Sequence, residues 1–314
     1  MKFRMMRWSL LLPLFLVSLP VCGAEKIKIA LNWKPEPEFG GFYAAQKNSA
    51  FQKHNLDVEL IPGGSGTPVV QMIASGQFDY GIVSADEIVM ARAHGADVVA
   101  VFAVYQTNPQ AIMAHAENHF ASLGALLDST STLGLQRGLP YAEFLLSKYP
   151  KSKVKIVPFQ GGIANFLADK NFAQQCFVTS EPLEARKKQI AVQTFLVADE
   201  GYNPYTTVLA TRSNVLKKNA RVVKDLVDAV RDGWRTYLQS PQLTNEVMSQ
   251  LNRSMDLATF NESAQAQKSL IAKDEKAVAL GKMTLERWQT LTQQLMTLKV
   301  ISSAPDASAM FANP

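Results

Sequence analysis

The segment Leu31-Asn32-Trp33-Lys34-Pro35, running on to Phe39-Gly40-Gly41-Phe42-Tyr43-Ala44-Ala45, constrains this chain more than any other stretch. It follows Lys26-Ile27-Lys28-Ile29-Ala30, whose alternation reads as a first strand. An aromatic and two prolines therefore stand where that strand hands over to a helix. In open α/β sheets, ligands bind outside the carboxyl ends of the strands. A Trp at that place is costly to leave in water unless a flat ligand or a partner covers it. The segment points to an α/β fold that captures a small molecule.

Residues 1–24 have the three parts of an export signal. Lys2, Arg4 and Arg7 form a positive front, Trp8 to Val21 an apolar stretch, and Cys22-Gly23-Ala24 a small-residue cleavage site before Glu25. The apolar part is shorter than the roughly 20 residues a membrane-spanning helix needs. Cleavage after Ala24 and a periplasmic location are expected. Lipid attachment through Cys22 is the alternative, although Val21 stands where lipoprotein signals carry Gly, Ala or Ser. The leader holds three of the 32 basic residues and none of the 27 acidic ones, so the mature chain is nearly balanced, 29 against 27. That balance gives no support to nucleic-acid binding. The short basic run Arg186-Lys187-Lys188 reads as a solvated helix face. Of the two cysteines only Cys176 lies beyond the leader, which excludes an intrachain disulfide and a multi-cysteine zinc site.

About 290 mature residues exceed what one hydrophobic core usually organises, so two lobes are expected. Strand and helix patterns alternate along the first part. Strands are read at Ile27–Leu31, Leu56–Ile61, Phe78–Val83 and Val98–Val104, and helices at Gly41–Lys53, Val69–Ser75 and from Ser84 to about His94. Repeated β-α-β units imply a parallel sheet. The pattern restarts with strands at Thr132–Leu135, Lys153–Val157 and Cys176–Thr179, and helices at Pro140–Lys148 and Ile163–Lys170. A strand at Thr206–Ala210 is followed by a helical tail in which Trp288, Leu291 and Leu295 should pack on the first lobe. The expected division is lobe 1 from residues 25–106 and 208–314, and lobe 2 from 107–207. The chain crosses out near Gln106–Gln110 and back near Tyr202–Thr207, a hinge around a ligand cleft.

The segments Leu31-Asn32-Trp33 with Gly41-Phe42-Tyr43-Ala44, Gly63-Gly64-Ser65-Gly66, Ser75 to Ile82, Val178-Thr179-Ser180-Glu181-Pro182 and Gly201-Tyr202-Asn203-Pro204-Tyr205 carry a resemblance. In this order the chain resembles the solute-binding proteins of ABC importers with the type II periplasmic-binding fold. The branch it resembles is the thiamine-pyrimidine-synthesis-like one, with relatives for sulfonates, taurine and nitrate. The resemblance implies a monomeric receptor without a cofactor or catalytic activity. It would carry a small heteroaromatic solute, such as a thiamine-precursor pyrimidine, to a membrane permease. Pyrimidine-binding relatives tend to carry Asp where this chain has Asn32, and Asn and His where it has Glu36 and Phe39. An anion receptor, a periplasmic sensory subunit and a pyrimidine-synthase-like enzyme are the alternatives.

The candidate ligand contacts follow from position and chemistry. Trp33 would stack on a planar ring, and Glu181, at a strand end stiffened by Pro182, would accept ring N–H groups. Gly64, Ser65 and Gly66 offer backbone N–H groups before a helix, a setting suited to an anion, or else form an ordinary strand-to-helix turn. Ser84 and Asp86 either cap a helix or face the cleft. Asn108 at the outward crossing, and Tyr202 and Tyr205 at the return, would wall the cleft or stabilise the hinge. The resemblance adds Asn32 and Tyr43. Cys176 reads as a buried small hydrophobe. His115 and His119, four apart without an acidic partner, read as surface residues rather than metal ligands.

Overall fold

The computed structural model describes residues 24–272 and 280–314. The export signal read at residues 1–24, Cys22 included, lies outside them but for Ala24. Ten strands form: β1 (Glu25–Ala30), β2 (Leu56–Ile61), β3 (Tyr80–Val83), β4 (Val99–Tyr105), β5 (Gln110–His115), β6 (Thr132–Gly134), β7 (Lys155–Val157), β8 (Phe172–Phe177), β9 (Val192–Leu196) and β10 (Thr206–Thr211). They assemble into two five-stranded sheets, ordered β2-β1-β3-β10-β4 and β7-β6-β8-β5-β9. This is the two-lobed, type II periplasmic-binding architecture.

The strand chemistry accounts for the layering. β2 alternates buried Leu56, Val58 and Leu60 with solvent-facing residues, as a strand covered on one face should. In β4, Val-Ala-Val-Phe-Ala-Val-Tyr is buried throughout, because helices cover both of its faces. The sheets are mixed rather than purely parallel. β10 runs against β3 and β4, and β5 runs against β8 and β9. Each of these strands directly follows a crossing between the sheets, so it enters its sheet from the opposite end.

The described helices are α1 (Gly40–Lys47), α2 (Ala50–Lys53), α3 (Val69–Ala74), α4 (Ala85–Ala93), α5 (Leu123–Leu127), α6 (Pro140–Lys148), α7 (Ala164–Ala168), α8 (Glu181–Lys187), α9 (Ser213–Lys218), α10 (Ala220–Gln239), α11 (Gln242–Leu251), α12 (Leu257–Ala266), α13 (Lys268–Ile271) and α14 (Leu285–Thr297). Among the described residues no helix is long and apolar enough to cross a membrane. The helix expected over 41–53 is broken between α1 and α2, where Ser49 takes a left-handed conformation with φ 60°. The strand read at 176–179 lies earlier, at β8, and ends as the backbone turns towards Glu181. β5, unmarked by periodicity, carries His115 into the interior. His115 is 4% exposed, its Nε2 lies 2.8 Å from the Phe166 carbonyl, and its ring stacks on Phe166 at 4.0 Å. The surface reading of His115 is thereby corrected: the spacing to His119 spans a strand end and a turn, not a helix face. Cys176 is buried, as expected.

The helical tail closes the first lobe. Trp288 of α14 is fully buried, stacks on Phe311 and tilts against Tyr205. α10 presents Val223, Leu226, Val227, Val230, Trp234 and Tyr237 along one buried stripe at helical spacing. That stripe packs against α1, whose glycines permit close approach. A Cβ on Gly41 would lie 2.2 Å from the Trp234 ring, and one on Gly233 would lie 2.2 Å from the Gly41 carbonyl. Phe42 completes the contact edge-on to Trp234, with centroids 6.2 Å apart.

Two segments connect the sheets, one between β4 and β5 and one between β9 and β10. Arg287 of α14 ties them together. Its Nη1 donates to the Gln106 carbonyl at 2.7 Å, its Nε to the Asn203 carbonyl at 2.8 Å and its Nη2 to Asn203 Oδ1 at 3.0 Å. The guanidinium lies over the Tyr205 ring at 3.9 Å. Asn203 Oδ1 also accepts the Asn108 backbone N–H at 2.8 Å. Just beyond, buried Thr207 has φ 54°, an uncommon conformation for a β-branched residue.

Overpacking a tight helix contact typically costs about 1–3 kcal/mol. Gly41→Ala is therefore expected to lower the stability of the mature protein by about that amount in urea unfolding. An unchanged midpoint would mean that α1 and α10 are free to separate.

Candidate ligand-binding cleft

The cleft is built where strands of both sheets end. After β1, the Leu31 N–H bonds to the Ile61 carbonyl at 2.9 Å, and the chain then leaves the sheet through Asn32 and Trp33. Trp33 does not join the core. It is 36% exposed, and its indole Nε1–H donates to Glu36 Oε1 at 3.1 Å, with the Lys34 ammonium 5.9 Å from the ring centroid. Asn32 beside it is half-buried.

Two residues from the C-terminal helical region hold this loop, and neither was anticipated. Asn252, just after α11, is buried and donates through Nδ2 to the Pro35 carbonyl at 3.1 Å and towards Glu36 Oε1 at 3.5 Å. Gln267, fully buried, donates to the Pro37 carbonyl at 2.8 Å and accepts the Tyr105 hydroxyl at 2.6 Å. No local pattern marks an Asn and a Gln more than 200 residues from the loop they brace. A buried polar side chain needs partners, and these find theirs in otherwise unsatisfied carbonyls.

Glu36 and Glu38 of this loop face Glu181 of the second lobe. Burial raises the Glu36 carboxyl, although hydrogen bonds from Trp33 and Asn252 and the Lys34 charge oppose the shift. Glu38 is pushed up to about 8, mainly by burial and further by the charges of Glu36 and Glu181. Glu181 rises to about 7 through burial, with Glu36 and Glu184 adding to it and the Phe177 N–H opposing. That N–H donates to Glu181 Oε2 at 2.9 Å and fixes the carboxylate at the β8 end. The Glu36 charge thus reaches both Glu38 and Glu181, and the Glu181 charge reaches Glu38 across the two lobes. Glu36 was legible only as a departure from the relatives' pattern, and nothing in the sequence marked Glu38 or set either as a partner of Glu181.

The glycine loop is turned largely inward. The Gly63 N–H donates to the Trp33 carbonyl at 3.0 Å, the Gly64 N–H to Thr67 Oγ1 at 2.9 Å and the Thr67 N–H to the Gly64 carbonyl at 3.1 Å. Gly63 is needed for this approach, since a Cβ there would lie 2.1 Å from the Leu31 carbonyl oxygen. Ser65 and Gly66 form the exposed tip, with Gly66 at φ 78°. The loop leads into α3, only six residues long.

The structure assigns other sequence-predicted residues to the hinge side. Ser84 and Glu87 form a capping box on α4: the Ser84 N–H donates to Glu87 Oε2 at 2.8 Å, and its hydroxyl bonds to Asp86. Asp86 accepts the Tyr202 hydroxyl at 3.3 Å, and burial raises its carboxyl. Tyr202 is 1% exposed and packs on Phe144, while the Tyr205 hydroxyl accepts the Thr284 N–H at 3.0 Å. Asn108 is buried, with its Oδ1 accepting the Gln110 N–H at 2.9 Å. Tyr43 is buried on α1 against the lobe 1 core, and its hydroxyl has no hydrogen-bond partner. A separate cavity of about 310 Å³, lined by Asn203, Pro204, Arg287 and Gln294 among others, adjoins the hinge rather than the carboxylates. Among the described residues no group of three or more His, Cys, Asp or Glu is set to hold a metal ion.

Two α/β lobes, a double crossing and polar groups converging at strand ends define a solute-binding type of molecule. The chain belongs to the NMT1/THI5-like family, which its residues 36–244 match. It is similar to the formylaminopyrimidine-binding protein of Halalkalibacterium halodurans, 23% identical over 245 residues, covering 75% of this chain and 72% of that one. It is also similar to the riboflavin-binding protein RibY of Chloroflexus aurantiacus, 22% identical over 302 residues, covering 92% of this chain and 85% of that one. In three dimensions the periplasmic aliphatic sulphonate binding protein SsuA of Escherichia coli superposes with a TM-score of 0.70 over 92% of each chain at 12% identity, a likeness of fold.

Carboxyls raised from 4.5 to about 7 and about 8 bind protons in the folded state that the unfolded chain has released. Their contribution to stability is full below pH 4.5 and is lost as the pH rises towards 8. The melting temperature should fall across that window, and less steeply in Glu38→Gln than in the parent. Equal slopes would show that the Glu38 carboxyl is not the neutralised group described.

Proposed function

We propose that this protein is a periplasmic receptor that captures a small heteroaromatic solute bearing N–H donors, of the thiamine-precursor pyrimidine type, and delivers it to an ABC permease. The observation that carries this reading is the exposed Trp33, bonded to Glu36, on a loop whose Glu38 feels the Glu181 charge from the other lobe. Carboxylates accept amino and ring N–H groups, and hydrogen bonds to a charged group are worth about 1.5–3 kcal/mol each. A planar ring on Trp33 would add roughly 0.5–1.5 kcal/mol beyond area burial. The similarity to a formylaminopyrimidine-binding protein supports the same class of ligand.

The rival anion reading finds less support. Two of the glycine-loop N–H groups already serve Trp33 and Thr67, which leaves fewer donors for a sulfonate or nitrate. The reading is of binding without chemistry. Cys176 is buried, and burial together with the Glu181 charge holds its thiol well above the ordinary range, so it is no nucleophile at neutral pH. Lobe 1 comprises residues 25–106 and 208–314 and lobe 2 residues 107–207, moving as two bodies about the hinge tied by Arg287. A monomer suffices for this task, because both halves of the cleft come from one chain.

Thermal unfolding of the mature protein, with and without 4-amino-5-hydroxymethyl-2-methylpyrimidine, riboflavin, nitrate and an alkanesulfonate, tests the reading. A ligand that binds only the folded state adds about 2.7 kcal/mol at a hundredfold excess over Kd. The pyrimidine should raise the melting temperature and the anions should not. Trp33→Ala and Glu181→Gln, whose amide oxygen can still accept the Phe177 N–H, should each weaken that binding roughly tenfold or more, while the melting temperature without ligand stays nearly unchanged. A shift with the anions alone, or full affinity in both variants, would overturn the assignment.

A further inference from the structure

Helix α8 carries Glu181 at its first residue and Lys187 at its last. Arg186, Lys187 and Lys188 are exposed, as a solvated basic run should be, but Lys187 also reaches partners across the molecule. Its Nζ donates to Asp256 Oδ1 at 2.5 Å and also to Thr259 Oγ1. Its side chain keeps 26% of its exposure. Asp256 and Thr259 belong to the other lobe, at the start of α12, whose Phe260 and Ala264 lie in the lobe 1 core. This contact bridges the lobes away from the hinge.

The acceptor is prepared in advance. Asp256 is the N-cap of α12, and its Oδ1 accepts the Thr259 N–H of its own first turn at 2.7 Å. Lys187 first, and the Thr259 groups after it, hold the Asp256 carboxyl down to about 2. α8 is short and stiff, with Pro182 in its first turn and its start fixed by the Glu181–Phe177 bond. A helix of that length transmits displacement rather than absorbing it. If the lobes part, Lys187 must lose both partners, whereas the Arg287 contacts at the hinge stay within reach.

We infer that Lys187, with Asp256 and Thr259 opposite, is a closure latch that positions Glu181 against Glu36 and Glu38. Lys187 is a positioning residue: it touches no ligand but sets the reach of one that does. The inference rests on the receptor reading of the cleft. A bridging cation paired outside the cleft favours the closed arrangement without occupying the space between the carboxyls. A partly exposed ion pair shifts an equilibrium by about two- to fivefold, enough to bias closure without locking it.

The test is the distance between lobes in the mature, ligand-free protein, read by pulsed electron resonance from spin labels at Lys47→Cys and Lys151→Cys, both exposed positions. Lys187→Met should move population from the short to the long distance by about two- to fivefold, and Lys187→Arg should retain the parent distribution. Asp256→Asn, which preserves the helix cap, should open the protein as Lys187→Met does. Raising salt should open the parent and leave Lys187→Met unmoved. A distribution unchanged in both Lys187→Met and Asp256→Asn overturns the latch, whatever the cleft binds. Because no ligand enters this measurement, failure of the pyrimidine to bind would sink the receptor reading while a shifted distribution upholds the latch.

Discussion

One side chain, Arg287, governs how the two halves of this molecule meet. A guanidinium offers five N–H donors in a fixed plane, and three of its bonds go to Gln106 and Asn203, one on each crossing segment. Its remaining face rests on Tyr205. Burial lowers its proton affinity, but not enough for an arginine to lose its charge. Carbonyls that a strand ladder would have used must find donors when the chain leaves one sheet for another. Arg287 supplies them at both crossings, and Asn203 couples the crossings by accepting from Arg287 and Asn108 together.

That constraint gives the cleft its chemistry. With the hinge fixed, the carboxyl ends of β1 and β8 face each other, bringing Glu36 and Glu38 towards Glu181. Desolvated like charges disfavour their own ionisation and their own proximity. Asn252 and Gln267 keep the loop from relaxing away from this arrangement by bonding its carbonyls at Pro35 and Pro37.

Local chemistry was legible wherever it is self-contained. α6 begins at Pro140 and ends at Lys148 as its pattern dictates, β2 follows its alternation from Leu56 to Ile61, and Ser84 begins α4. Trp33 could be picked out because a strand-end aromatic has few reasons to face water, and Glu181 because a carboxylate followed by proline is a fixed acceptor. Misreadings cluster where a long-range partner outweighs local preference. β5 lacks a periodic signature because both its neighbours in the sheet come from more than 55 residues later. His115 is buried because Phe166 offers it both a stacking face and a carbonyl. Ser84, Asp86, Asn108, Tyr202 and Tyr205 were open between the cleft and a cap or hinge role, and their hydrogen bonds run to caps and crossings.

The sequence by itself determined the alternating α/β character, the two-lobed division of labour and the family, because periodicity, turn residues and motif order are written in neighbouring positions. Tertiary structure alone decided which carboxyls meet, which residues brace the Trp33 loop and which lysine bridges the lobes. Glu36 and Glu181, Pro35 and Asn252, and Lys187 and Asp256 are separated by scores to hundreds of residues. Their energies depend on distance and burial in space, and separation along the chain encodes neither.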